Sequence, residues 1–79
     1  MNSLLVETQA RANNVSFSED VLHVHLTDGR TISVPLIWFP RLQKAALEQL
    51  HDWRLLGGGV GIHWEQLDED LSVAALLEP

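Results

Sequence analysis

The sequence predicts a small α+β domain. An antiparallel sheet built from two hairpins packs against one main helix, and a short C-terminal helix or strand closes the chain. Three observations carry this reading. Residues Val21 to Leu36 alternate apolar and polar around Asp28-Gly29, the pattern of a half-buried hairpin. Phe39, Leu42, Ala46, Leu50 and Trp53 recur at helical spacing behind Pro40. Two short apolar runs, Trp53 to Leu56 and Val60 to Trp64, flank Gly57-Gly58-Gly59 as a second hairpin.

Seventy-nine residues bury a single core; two cores would each be too small to persist without staples. Residues 1–14 are expected to form an N-terminal arm and residues 15–79 the domain. Leu4, Leu5 and Val6 would anchor the arm, and Asn13-Asn14 signals a turn. Val15-Ser16-Phe17 is expected as a first strand.

The register of the first hairpin follows from which residues must share a face. A two-residue Asp28-Gly29 loop would set His25 opposite Ile32 and mix polar with apolar side chains. A three-residue loop, Thr27-Asp28-Gly29, pairs Leu26 with Arg30, Val24 with Ile32 and Leu22 with Val34, so the apolar pairs share one face. That loop is a type I turn followed by Gly29 in the left-handed region. Leu22, Val24, Ile32 and Val34 are then expected to face the helix.

Pro35 ends the ladder or lies on an edge. Pro40 suits the first turn of a helix, where its missing N–H costs nothing. The spacing predicts one helix from Pro40 to His51, with Arg41, Lys44, Glu48 and His51 outward. The Gly57–Gly59 run reads as a flexible hairpin tip, with Gly61 a candidate bulge. A strand-like Ile62-His63-Trp64 follows it, and it lacks the Lys and Ser/Thr of a phosphate loop. Asp68-Glu69-Asp70 reads as an acidic turn capping the last helix. Ser72 is a candidate cap for Val73 to Leu77, while Leu71-Ser72-Val73 equally reads as a strand.

Composition narrows function. Apolar residues are 46% and charged residues 20%, a globular balance. Absence of cysteine removes disulfides, thiolate ligands and cysteine nucleophiles. No apolar run reaches 18 residues and no signal-peptide core opens the chain, so a cytoplasmic protein without membrane attachment is expected. Eleven acidic against five basic residues give a net charge of −6. Direct nucleic-acid binding is not expected, because it begins with basic patches that release counterions from phosphates.

Few residues carry chemistry. His23 and His25 lie on one strand face about 7 Å apart, and a third imidazole from His51 or His63 would make a zinc set. Against it stands a solvated face beside Thr31 and Ser33. Glu65, Asp68, Glu69 and Asp70 lack the spacing of a calcium loop; they read as a solvated turn or as a contact surface for a basic protein. Trp38, Trp53 and Trp64 read as core packing with indole N–H groups satisfied locally, whereas a partly exposed one would be an interface anchor. Arg41 is expected to pair locally with Asp or Glu. Neither a metal nor another cofactor is expected.

Trp38-Phe39-Pro40-Arg41-Leu42, Gly61-Ile62-His63-Trp64 and Leu67-Asp68-Glu69-Asp70-Leu71-Ser72-Val73, in that order, resemble a bacterial family known only as domain of unknown function 2442. Asp28-Gly29-Arg30 and Trp53 also fit, and the resemblance spans Asp20 to Leu77. It implies a small α+β domain with an antiparallel sheet and supplies no catalytic residues. Some relatives look like this domain fused to a C-terminal helix-turn-helix, for which a chain stopping at Pro79 has no room. Genes of single-domain members often neighbour another small protein, of domain of unknown function 4160, in an arrangement similar to a toxin–antitoxin pair. The resulting expectation is a non-enzymatic protein-interaction module, the antitoxin-like member of such a pair, binding a small basic protein or a second copy of itself. The alternatives are a small enzyme or ligand-binding domain using His51, His63 and the acidic turn, or a regulator linked to nucleic acid through its partner.

Overall fold

A computed structural model of the chain describes residues 10–78; the expected anchor Leu4-Leu5-Val6 lies outside them. Strands β1 (Ala12–Ser18), β2 (Val21–Leu26) and β3 (Thr31–Pro35) form one antiparallel sheet in the order β1-β2-β3. A single 3-10 turn (Leu36–Trp38) and two one-turn helices, α1 (Pro40–Gln43) and α2 (Leu47–Leu50), lead to a second sheet. Its strands β4 (Trp53–Leu56), β5 (Gly61–Trp64) and β6 (Glu69–Ser72) also run antiparallel in sequence order, and helix α3 (Val73–Leu77) follows. The two hairpins therefore do not share one sheet. Each recruits a neighbouring strand of its own, β1 for the first and β6 for the second.

The first hairpin has the three-residue loop that its alternation predicts. Leu22 pairs with Val34 and Val24 with Ile32. The Leu26 N–H donates to the Arg30 carbonyl at 2.8 Å, and Gly29 holds φ +96°. Leu22, Val24 and Val34 are buried and Ile32 is half-buried, while His23 and His25 lie on the opposite face. Asn13-Asn14 does not make a turn. Both lie within β1, where the register slips between Ala12 and Asn14, a bulge that brings both Ala12 and Val15 inward. Pro35 is the last residue of β3, an edge strand, where its missing N–H breaks no interior ladder.

The long helix is broken. Pro40 occupies the first turn of α1 as expected, but Ala46 is extended at φ −71°, ψ 157° and starts a new turn. The Gln49 side-chain oxygen accepts the Ala46 N–H at 3.0 Å, satisfying a donor at the restart. Leu42 and Leu50 are buried, so the spacing chose the inward residues correctly at those positions. Between them the half-buried residue is Ala45, and Ala46 is exposed. Helices this short are not self-supporting, so packing of their apolar side chains decides where the segment bends. Both leucines join one core with the inward residues of both sheets.

Glycine at position 59 lets the second hairpin dock on the first sheet. Gly59 is buried at φ +111°, and its carbonyl accepts the Ala12 N–H at 2.7 Å. A Cβ there would lie 2.3 Å from the Ala12 carbonyl oxygen. Arg11 Nη1 also reaches the Gly57 carbonyl at 3.2 Å. The glycine run is therefore a docked loop rather than a free tip. Gly61 is not a bulge; it pairs in register with Leu56 and with Ser72.

The chain's end combines both readings of Leu71-Ser72. They close β6, and the Ser72 hydroxyl then accepts the Ala75 N–H at 3.3 Å as the cap of α3. The acidic run does not cap that helix, because Glu69 and Asp70 already belong to β6.

Gly59→Ala is expected to destabilise well beyond Gly29→Ala in urea unfolding. Both substitutions incur the left-handed penalty of about 1–2 kcal/mol, but a Cβ at Gly29 meets open space. Equal costs would show that the glycine loop is not docked. Trp64→Phe is expected to cost about 1–3 kcal/mol, because it leaves the Leu50 carbonyl without its indole donor.

Candidate functional site

Strand alternation builds the outer face of the second sheet. With Ile62 and Trp64 buried, His63 must point outward. Arg54 lies opposite it on β4 and Asp70 opposite it on β6, so a cation, an imidazole and a carboxylate form one row across the sheet. Glu65, one residue past β5, folds back to the same ring. His63 Nε2 is 2.8 Å from Glu65 Oε1, and His63 Nδ1 contacts Asp70 Oδ1. Arg54 Nη2 approaches the same Glu65 oxygen at 3.4 Å. These carboxylates, Asp70 first and Glu65 second, hold the His63 pKa above its ordinary value. The His63 side chain is only 16% exposed. Asp52, Trp53, Arg54, His63 and Glu65 line a shallow, open cleft of about 280 Å³.

The acidic segment is thus shared out rather than gathered. Glu65 and Asp70 bracket His63. The Asp68 carbonyl accepts from Arg41 Nη1 at 2.6 Å, and Glu69 lies 3.8 Å from the same guanidinium. Arg41 therefore pairs locally, as expected, and steadies a turn in which Asp68 holds φ +51°. His51 does not join His63. Its ring meets Phe17 edge to face at 5.6 Å.

His23 and His25 form two separate rows on the outer face of the first sheet. His23 bonds Ser18 at 2.6 Å and Ser33 at 2.8 Å. His25 bonds Ser16 at 2.8 Å and Thr31 at 3.3 Å. Hydroxyls donate or accept, so they satisfy both ring nitrogens. Among the described residues no group of three His, Asp or Glu is arranged to hold a metal ion.

The three tryptophans separate. Trp64 is fully buried, and its indole donates to the Leu50 carbonyl at 2.9 Å. Trp53 is half-buried beside the cleft. Trp38 is no core residue. It is 65% exposed, next to Ile37 at 64%, and Leu47 on α2 is 73% exposed. Sequence reasoning passed over Ile37 and Leu47. The available signal was three large apolar residues in a stretch whose inward places were already taken by Leu36, Leu42 and Leu50.

Among the described residues no helix is long and apolar enough to cross a membrane. A family model described as "Protein of unknown function (DUF2442)" matches residues 12–79. No curated protein matches the chain closely enough to lend it an activity. The crystal structure of a protein of unknown function from Rhodospirillum rubrum is similar at a TM-score of 0.76 and 33% identity, over 89% of this chain and 87% of that one. The solution structure of an uncharacterised protein from Chromobacterium violaceum is similar at a TM-score of 0.72 and 25% identity. That match takes in 85% of this chain but 63% of the other, so the present chain spans under two thirds of that relative.

Zinc, manganese or magnesium is expected to leave the thermal midpoint unchanged. A specific ion at 100 times its dissociation constant would add about 2.7 kcal/mol. A saturable shift of that order, lost in His23→Ala, would establish a metal site on the first sheet.

Proposed function

The chain belongs to the DUF2442 family, and on that footing we propose that it is a non-enzymatic protein-interaction module whose anchor is Trp38. The observation that carries this reading is the consecutive pair Ile37-Trp38, two thirds exposed yet held on a fixed turn. Leu36 is buried beneath them, its N–H donates to the Asp20 carbonyl at 2.8 Å, and the Phe39 N–H returns to the Leu36 carbonyl at 2.8 Å. A backbone already fixed at the turn has no freedom of its own left to lose on binding. At about 25 cal/mol per Å², covering two thirds of an aromatic side chain of roughly 200 Å² is worth about 3 kcal/mol.

Charge supplies the second half of the reading. Glu65 and Asp70 are exposed, and the chain carries a net charge of −6. Such a surface steers a basic protein toward the site and favours fast association at low salt. A small basic partner encoded beside this chain, in an antitoxin-like pairing, is the form of the proposal to test first, with a second copy of the chain as the other partner. A regulatory link to nucleic acid would then run through the partner. The enzymatic alternative has weaker support. With a carboxylate at each ring nitrogen favouring its doubly protonated form, His63 in that form has no lone pair to accept a proton from a substrate, and His51 lies apart from it against Phe17.

The test is binding of the neighbouring gene's product, alongside self-association, in wild type and Trp38→Ala. A central anchor costs about 2 kcal/mol or more when truncated, roughly a thirty-fold weaker Kd, with the fold unchanged by circular dichroism. Asp68→Asn removes a charge while keeping a residue tolerated at positive φ. It is expected to slow association at low salt and to matter less at high salt. Full-strength partner binding and self-association in Trp38→Ala would remove the anchor from the proposal.

A further inference from the structure

We infer that His63 is a protonation-dependent clasp that ties the turn after β5 to strand β6. A carboxylate only accepts, and a neutral imidazole carries one N–H, whereas an imidazolium carries two. His63 presents Nδ1 to Asp70 and Nε2 to Glu65. Both contacts are hydrogen bonds only when the ring holds two protons. The contrast with His23 and His25 lies within the same molecule. Their partners are Ser and Thr hydroxyls, which reverse direction and fit either ring state.

Loss of the Nε2 proton to water turns the Glu65 contact into a lone pair facing a carboxylate, while Nδ1–H keeps Asp70. Glu65 is then left to Arg54, and Nε2 opens toward the cleft lined by Asp52, Trp53 and Arg54. The groups that face the clasp come from every adjoining element: Arg54 on β4, Asp70 on β6, Glu65 in the turn, and Asp52 before β4. Asp52 is itself engaged by Gln66 at 2.8 Å, so the turn keeps one tether when the clasp opens.

The direction with pH follows from the raised His63 pKa. A raised folded-state value means that the clasp is complete below the ordinary histidine value of 6.5 and is lost as pH rises through the folded-state value.

The test is an NMR titration of the full chain. The His63 ring is expected to titrate above 6.5, and both Asp70→Asn and Glu65→Gln to lower its midpoint, while Glu48→Gln on α2 leaves it in place. Amide signals of residues 65–68 are expected to shift with the same midpoint in wild type. As a second measurement, the thermal-midpoint gap between wild type and His63→Gln is expected to be wider just below pH 6.5 than well above it, closing as pH rises through the raised His63 value. A midpoint at or below 6.5, a response to only one carboxylate, or a gap that does not vary with pH would overturn the clasp. None of these readings depends on a binding partner, so the clasp and the interaction module stand or fall separately.

Discussion

Trp64 is the side chain on which the two halves of this domain close. It is the largest of the fully buried side chains, and it lies on the central strand of the second sheet. Its indole N–H needs a buried acceptor, because a donor left unpaired in the core costs about 1–3 kcal/mol. The carbonyl of Leu50, at the end of α2, supplies one. That carbonyl is in turn one of the groups that a helix end leaves without an internal partner. One hydrogen bond therefore solves two problems and fixes the linking segment against the second sheet. Leu42 and Leu50 complete a core shared by both sheets.

The chemistry on the surface is a consequence of that burial. Strand side chains alternate, so an inward Trp64 and Ile62 force His63 outward. The register then sets Arg54 and Asp70 on either side of it. The first sheet obeys the same rule with different residues. Burial of Leu22, Val24 and Leu26 puts His23 and His25 outward among hydroxyls. Two imidazole-bearing faces result, one held by groups that reverse their hydrogen bonds and one held by groups that only accept. The difference between the two faces lies in the partners, not in the rings.

Apolar surface is distributed unevenly. Both sheets bury their inward rows, yet the segment between them leaves Ile37, Trp38 and Leu47 largely in water. A domain of this size has too little interior to cover every large side chain. An exposed Leu is ordinary, but an exposed Trp beside an exposed Ile on an anchored turn is less so, and the proposed contact rests on that pair. The glycine loop is the opposite case. A run that reads as loose in sequence is held by backbone contacts, because absence of a Cβ at Gly59 allows this turn's carbonyl within 2.7 Å of the Ala12 N–H at the start of β1.

The family, the α+β class and the first hairpin were legible in the residues themselves. Alternation and the need for one apolar face left a single sensible loop, and Leu22, Val24, Ile32 and Val34 lie where that face requires. Local chemistry also determined Pro40 at a helix start and Ser72 as a cap. Tertiary structure alone decided the rest. Whether two hairpins share a sheet depends on which strand reaches each edge, and hydrophobic period carries no record of that choice. The break at Ala46 was hidden because Leu42 and Leu50 are inward in either arrangement. Glu65 and Asp70 looked like members of one acidic turn, but chain reversal between β5 and β6 set them on opposite nitrogens of His63. Residues five apart in sequence become partners of one ring only when a hairpin folds them together. A one-dimensional pattern records spacing along the chain and not distance across it.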